Sequence, residues 1–121
     1  MADVVVVIED LIFSTKIQGT ARALGLDAQV VRTGEALQEA LDQGEVRLVV
    51  VDMGLGNDTA TTALRGAASH ELKPTTLAFY SHVQQECRRA AEEAGAHVVM
   101  VRSQFSEELP QLLKQYCSSA G

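Results

Sequence analysis

The valine-rich runs constrain the fold of this chain more than any other feature. VVVVI (residues 4–8), VRLVVV (46–51) and HVVMV (97–101) are near-continuous in their apolar character rather than alternating. Successive side chains of a strand point to opposite faces of its sheet. An uninterrupted apolar run therefore marks a strand covered on both sides, as in a parallel sheet. AQVV from Ala28 and TTLAFY from Thr75 add two further segments of strand length.

Helical patterns fill the intervals. Ile17, Ala21 and Leu24 share a face, and Gly25 is the predicted stop of the first helix. Thr33 is placed to cap a helix carrying Ala36, Leu37, Ala40 and Leu41, closed at Gly44. An alanine-rich helix is predicted over 59–68 with Leu64 inward, and another over 82–94, ended by Gly95. The last helix is predicted from about Ser106, with Leu109, Leu112, Leu113 and Tyr116 as its apolar stripe. Pro110 then falls in its first turn, where a missing N–H does little harm. Strand and helix alternate five times. The alternation predicts an α/β fold with helices on both faces of a parallel sheet, joined by right-handed crossovers. The expected form is a flavodoxin-like (βα)5, doubly wound sheet in the order 2-1-3-4-5, a three-layer sandwich over the single domain 1–121.

Charge and cysteine content narrow the function. A net charge of −6 argues against general binding to nucleic acid or to an acidic membrane. Cys87 and Cys117 have no metal-ligand spacing and are too few for a disulfide scaffold, so a reduced pair is expected. The N-terminal apolar run is too short for a signal or membrane segment and is followed at once by acids, which makes the cytoplasm the expected location.

In the 2-1-3-4-5 order the ligand crevice lies at the C-terminal ends of strands 1 and 3, where the winding reverses. Strand 1 ends in Glu9 and Asp10, strand 3 in Asp52, strand 4 in Ser81 and strand 5 in Arg102. Carboxylates gathered that closely repel, and they call for a cation or a positive side chain. Hard oxygen ligands suit Mg2+, with the backbone after Asp52, at Gly54, free to turn a carbonyl inward.

An acid pair, an aspartate, a hydroxyl and a cation at these strand ends resemble the receiver domain of two-component response regulators, the CheY-like fold, over essentially the whole chain. The resemblance implies that Asp52 is the phosphoacceptor and that Asp10, with Glu9, Asp52 and the Gly54 carbonyl, holds Mg2+. Ser81 would then meet a phosphoryl oxygen, and Arg102 stands where the family places a lysine. Ser103 takes the place of the family proline, and Val99 that of a frequent aromatic three residues before Arg102. These departures mark an atypical receiver.

The resemblance further implies a stand-alone bacterial response regulator in phosphorelay signal transduction. It would be a phosphoprotein and regulator rather than an enzyme, with self-phosphorylation from small donors a further option. Its partners would be a sensor histidine kinase or phosphotransfer protein and a downstream protein, with a homodimer through the helix 4–strand 5–helix 5 face. Arg102 has two readings: it caps the phosphoryl group, or it pairs permanently with Asp52 or Glu9. The residues also allow plainer roles. Asp52 can cap the turn that follows it, Glu9 and Asp10 can favour a helix N-terminus, and Ser81 opens an S-x-x-Q capping box. His82, beside the crevice, can act as an acid or base near neutral pH or simply start a helix. His70 and His97 read as structural or solvent-facing, and Arg88-Arg89 as a solvated face. Two rival functions remain: a pseudo-receiver interaction module without phosphotransfer, and a small flavodoxin-like binder of a flavin or corrinoid.

Overall fold

The computed structural model describes residues 2–81 and 85–117. Five strands and five α-helices alternate along the chain: β1 (Val4–Val7), α1 (Leu11–Ala23), β2 (Ala28–Val31), α2 (Gly34–Asp42), β3 (Leu48–Asp52), α3 (Asn57–Ser69), β4 (Thr75–Tyr80), α4 (Gln85–Glu93), β5 (Val98–Val101) and α5 (Arg102–Cys117). A 3-10 turn, Met53–Leu55, joins β3 to α3. The sheet is parallel throughout with the order β2-β1-β3-β4-β5, as the alternation predicts.

Two apolar clusters explain why the central strands must be valine-rich. Val5, Val7, Val49 and Val51 pack with α2, α3 and α4 on one face, and Val4, Val6, Leu48 and Val50 with α1 and α5 on the other. Alternate residues of one strand thus feed opposite cores. All four residues of β1 are fully buried. On the α1/α5 side three phenylalanines meet: Phe79 stacks on Phe105 with centroids 4.8 Å apart, and Phe13 approaches both edge-on at 5.4 and 5.9 Å.

Helix ends follow the expected chemistry where a local signal exists. The Thr33 hydroxyl accepts from Ala36 N at 3.1 Å, and Gly25 and Gly95 take the positive φ values of 77° and 99° that end the preceding helices. The second helix closes as expected, with Gln43 as its C-cap and Gly44 directly after it, the same offset as Gly25 after Leu24. The start of the fourth helix at residue 82 lies outside the described residues.

The last helix corrects its predicted start. It begins at Arg102, directly after β5, rather than near Ser106, and Pro110 is therefore interior rather than in the first turn. Ser103 imposes no proline restriction on the residue before it, so the chain can turn helical at once. Phe105, stacked on Phe79, then draws the first turn onto the core. Burial of Phe105, Leu109, Leu112, Leu113 and Cys117 along one face holds the helix across the proline.

Candidate functional site

The parallel register carries four strand ends to one edge of the sheet. Asp52, last residue of β3, lies opposite Phe79 of β4, and Tyr80 lies opposite Val101 of β5. The residues that follow β1, β4 and β5 emerge beside Asp52. A cleft of about 300 Å³ results, lined by Glu9, Asp10, Asp52, Gly54, Leu55, Phe79, Ser81 and Arg102. The structure thus brings together every residue that the sequence assigns to the site. His82 lies outside the described residues.

Each acid is positioned by the backbone around it. Asp10 is the N-cap of α1: its Oδ1 accepts from Phe13 N at 3.0 Å. Its Oδ2 accepts from Arg102 Nη2 at 2.7 Å. Asp52 accepts from Gly54 N at 2.7 Å through Oδ1 and so caps the 3-10 turn. A Cβ on Gly54 would lie 2.9 Å from that same oxygen, closer than such atoms pack, so glycine permits the carboxylate to sit where it does. Both aspartates therefore perform the plain capping roles that local sequence allows, while their outer edges face the cleft. Glu9 is exposed and Ser81 half-buried.

Arg102 settles against neither Asp52 nor Glu9. Its ion pair is with Asp10, and its guanidinium carbon lies 4.2 Å from the centroid of the Phe13 ring. A cation over an aromatic face gains from the ring quadrupole, so Phe13 holds the arm in the orientation that reaches Asp10. Phe13 is the residue that sequence reasoning missed. The signal was present: Asp10 caps Phe13 N three positions on, which sets the ring beside the acid.

The two carboxyls differ in their proton affinity. The hydrogen bond from Arg102, followed by that from Phe13 N, lowers the Asp10 pKa below the ordinary value. Burial raises that of Asp52 and outweighs the Gly54 N–H and the attraction of Arg102, with smaller upward pushes from Asp10 and Glu9.

Other singled-out residues lie elsewhere. Leu72 N donates to His70 Nδ1, leaving Nε2–H to donate to Asp42 at 2.8 Å, and His97 Nδ1 accepts from Thr76 N at 3.0 Å. Arg88 and Arg89 are exposed, with Arg88 paired to Glu92 at 3.6 Å. Cys87 and Cys117 are free thiols, and burial pushes that of Cys117 up to about 11. A roomier groove of about 1070 Å³ separates α2 from α3, lined by Glu35, Gln38, Asp42, Asp58, Thr62 and Gly66 among others. His70, also in its lining, is bonded to Asp42, and no lysine or arginine lines it among the described residues, so the chemistry is placed at the strand-end cleft.

The cleft fits a divalent cation in the kind of donor it offers. Carboxylate and carbonyl oxygens are hard ligands, and an aspartate whose pKa is raised beside two further acids gains from positive charge. The ligands are not assembled in advance: among the described residues no group of three or more His, Cys, Asp or Glu is close enough to hold a metal. Asp10 is instead turned to Arg102.

No protein-family model matches the sequence, and no curated protein matches it. Solved structures do. A response regulator from Thermotoga maritima superposes with a TM-score of 0.78 at 19% identity, over 98% of this chain and 99% of that one. The receiver domain of NtrX from Brucella abortus gives 0.80 at 15% identity, over 98% and 100%. The receiver domain of the sensor histidine kinase PA1611 from Pseudomonas aeruginosa gives 0.80 at 18% identity, over 98% and 100%, and has a magnesium ion coordinated in its active-site cleft. The chain has the fold of response-regulator receiver domains. No helix among the described residues is long and apolar enough to cross a membrane.

Proposed function

We propose that the protein is a receiver-like domain of two-component signalling that accepts a phosphoryl group on Asp52 and signals by contact with another protein. The observation that carries this reading is the convergence of Asp52, the acids Glu9 and Asp10, the Ser81 hydroxyl and the Arg102 guanidinium in one cleft at the carboxyl ends of four parallel strands. The fold shared with receiver domains supports it.

The chemistry follows from these groups. A carboxylate oxygen of Asp52 attacks phosphorus, forming an acyl phosphate as the bond from phosphorus to the donor breaks; the donor leaves with its electron pair and takes up a proton. Such transfer depends mainly on positioning and charge neutralisation. Gly54 N fixes one Asp52 oxygen, Ser81 offers a hydroxyl to the incoming group, and Arg102 carries the positive charge from the β5 side. Asp10, Asp52, Glu9 and the Gly54 carbonyl are the groups that would hold Mg2+, which when bound supplies charge neutralisation. A histidine kinase or phosphotransfer protein is the proposed donor, and the α4–β5–α5 face the proposed surface for a downstream partner or a second copy.

Incubation with Mg2+ and a small phosphodonor, followed by intact-mass measurement, tests the reading. A single phosphoryl adduct that disappears in Asp52→Asn is expected; an unchanged mass in both proteins would remove the support. The second reading, a pseudo-receiver without phosphotransfer, is favoured by the Arg102–Asp10 ion pair, which occupies a proposed metal ligand. Unchanged mass, with a partner still bound, is the outcome that selects it.

A further inference from the structure

Both oxygens of Asp10 are committed. Oδ1 accepts from the first turn of α1 and Oδ2 from Arg102 at 2.7 Å. The arm that makes the second bond is held by a second contact, the Phe13 ring 4.2 Å beneath its guanidinium. Arg102 also belongs to both clefts at this edge: the one containing Asp52, and a neighbouring one of about 370 Å³ lined by Phe13, Ser81, Val101, Ser103 and Ser106. The arm is therefore part of the wall between them, and its ion-pair partner is the acid rather than the phosphoacceptor.

We propose that Arg102 and a divalent cation compete for Asp10, so that Arg102 sets the metal affinity of the cleft and is released towards Asp52 only when a cation takes its place. Two positive charges cannot share one carboxylate oxygen cheaply. The bond lost when the arm leaves Asp10 is a half-exposed ion pair, with side chains 42% and 36% exposed, so the exchange is accessible in water rather than locked. Once free, a guanidinium presents planar donors suited to a phosphoryl group's oxygens. Arg102 is in this sense a positioning residue whose resting partner withholds it. The inference rests on reading the cleft as a metal-assisted phosphoryl acceptor, but its first half concerns binding alone.

Calorimetric titration with Mn2+ tests it in the whole protein. Arg102→Gln keeps a polar, though shorter, side chain but loses the charge, and is expected to tighten Mn2+ binding by up to about fivefold, the scale of a half-exposed ion pair. Phe13→Leu leaves the pair but removes the ring and should shift affinity in the same direction by less. In an Asp10→Asn background the Arg102→Gln gain should vanish, which separates competition for Asp10 from a general field effect. A second readout is the Arg102 Nε–H resonance, expected to move on adding Mg2+ towards its position in Asp10→Asn. Equal or weaker Mn2+ binding in Arg102→Gln, a gain that survives in Asp10→Asn, a resonance indifferent to Mg2+, or no binding by either protein would each overturn the proposal. Tighter binding in Arg102→Gln with no phosphoryl adduct in any variant would overturn the phosphoacceptor reading and leave the competition standing.

Discussion

Asp52 is held in the native protein at a cost that pH can reveal. Its folded pKa lies above the ordinary 3.8, chiefly through burial. Below that ordinary value both folded and unfolded chains carry the proton, and the site costs nothing. As pH rises through it the unfolded state gives up its proton first, so the folded state loses stability until the folded pKa is passed. Asp52→Asn keeps an oxygen for the Gly54 N–H and should raise the melting temperature at pH 7 but not at about pH 3; an equal gain at both would show that charge is not the cause. Gly54→Ala acts on the same carboxylate by contact, since the added methyl would sit 2.9 Å from Oδ1. Phosphoryl uptake from a small donor should slow by about 10–100-fold, the usual consequence of displacing a reacting group by a fraction of an ångström to an ångström. A rate equal to the unaltered protein's would show that the oxygen can move without loss.

Helix ends are where local sequence speaks most plainly, and also where it misled. Thr33 was legible as a cap because its hydroxyl bonds a backbone N–H three positions away, a distance contained within the sequence. Thr33→Ala should cost about 1 kcal/mol in urea unfolding. The start of α5 was not legible, because what draws the chain into a helix at Arg102 is the Phe105–Phe79 stack, a contact between distant segments. Pro110 then sits inside a helix, where it deprives the Ser106 carbonyl of an N–H partner. Pro110→Ala should stabilise the protein by up to about 3 kcal/mol, the difference between the two residues in a helix interior. No gain in denaturation midpoint would mean that the helix already bends to satisfy that carbonyl.

The buried parallel sheet followed from the valine runs and the strand–helix alternation, and the order from 2-1-3-4-5 being the common doubly wound form. The convergence of Glu9, Asp10, Asp52, Ser81 and Arg102 followed in turn from the strand order. What stayed hidden was which acid Arg102 would choose. That choice depends on a bond spanning 92 positions, which has no local trace, and on a ring on α1 whose only local trace is the Asp10 cap on Phe13 N. Core and site are therefore coupled through the phenylalanine trio. Phe79, fully buried, both lines the cleft and supports Phe13. Phe79→Ala should cost about 3–5 kcal/mol, a large share of what an ordinary domain possesses, and should also loosen the ring beneath Arg102. A loss below about 1 kcal/mol would indicate that the core closes over the gap.

No residue intervenes between β5 and α5: Val101 is hydrogen-bonded into the sheet, and Arg102 is already helical. A 16-residue helix, about 24 Å of rod, is welded to the strand without a hinge. No loop separates strand from helix at this junction, so a change at the strand ends reaches α5 directly at Arg102. A partner on the proposed α4–β5–α5 face would meet such a change at the N-terminal end of α5, where Arg102 lies beside the cleft.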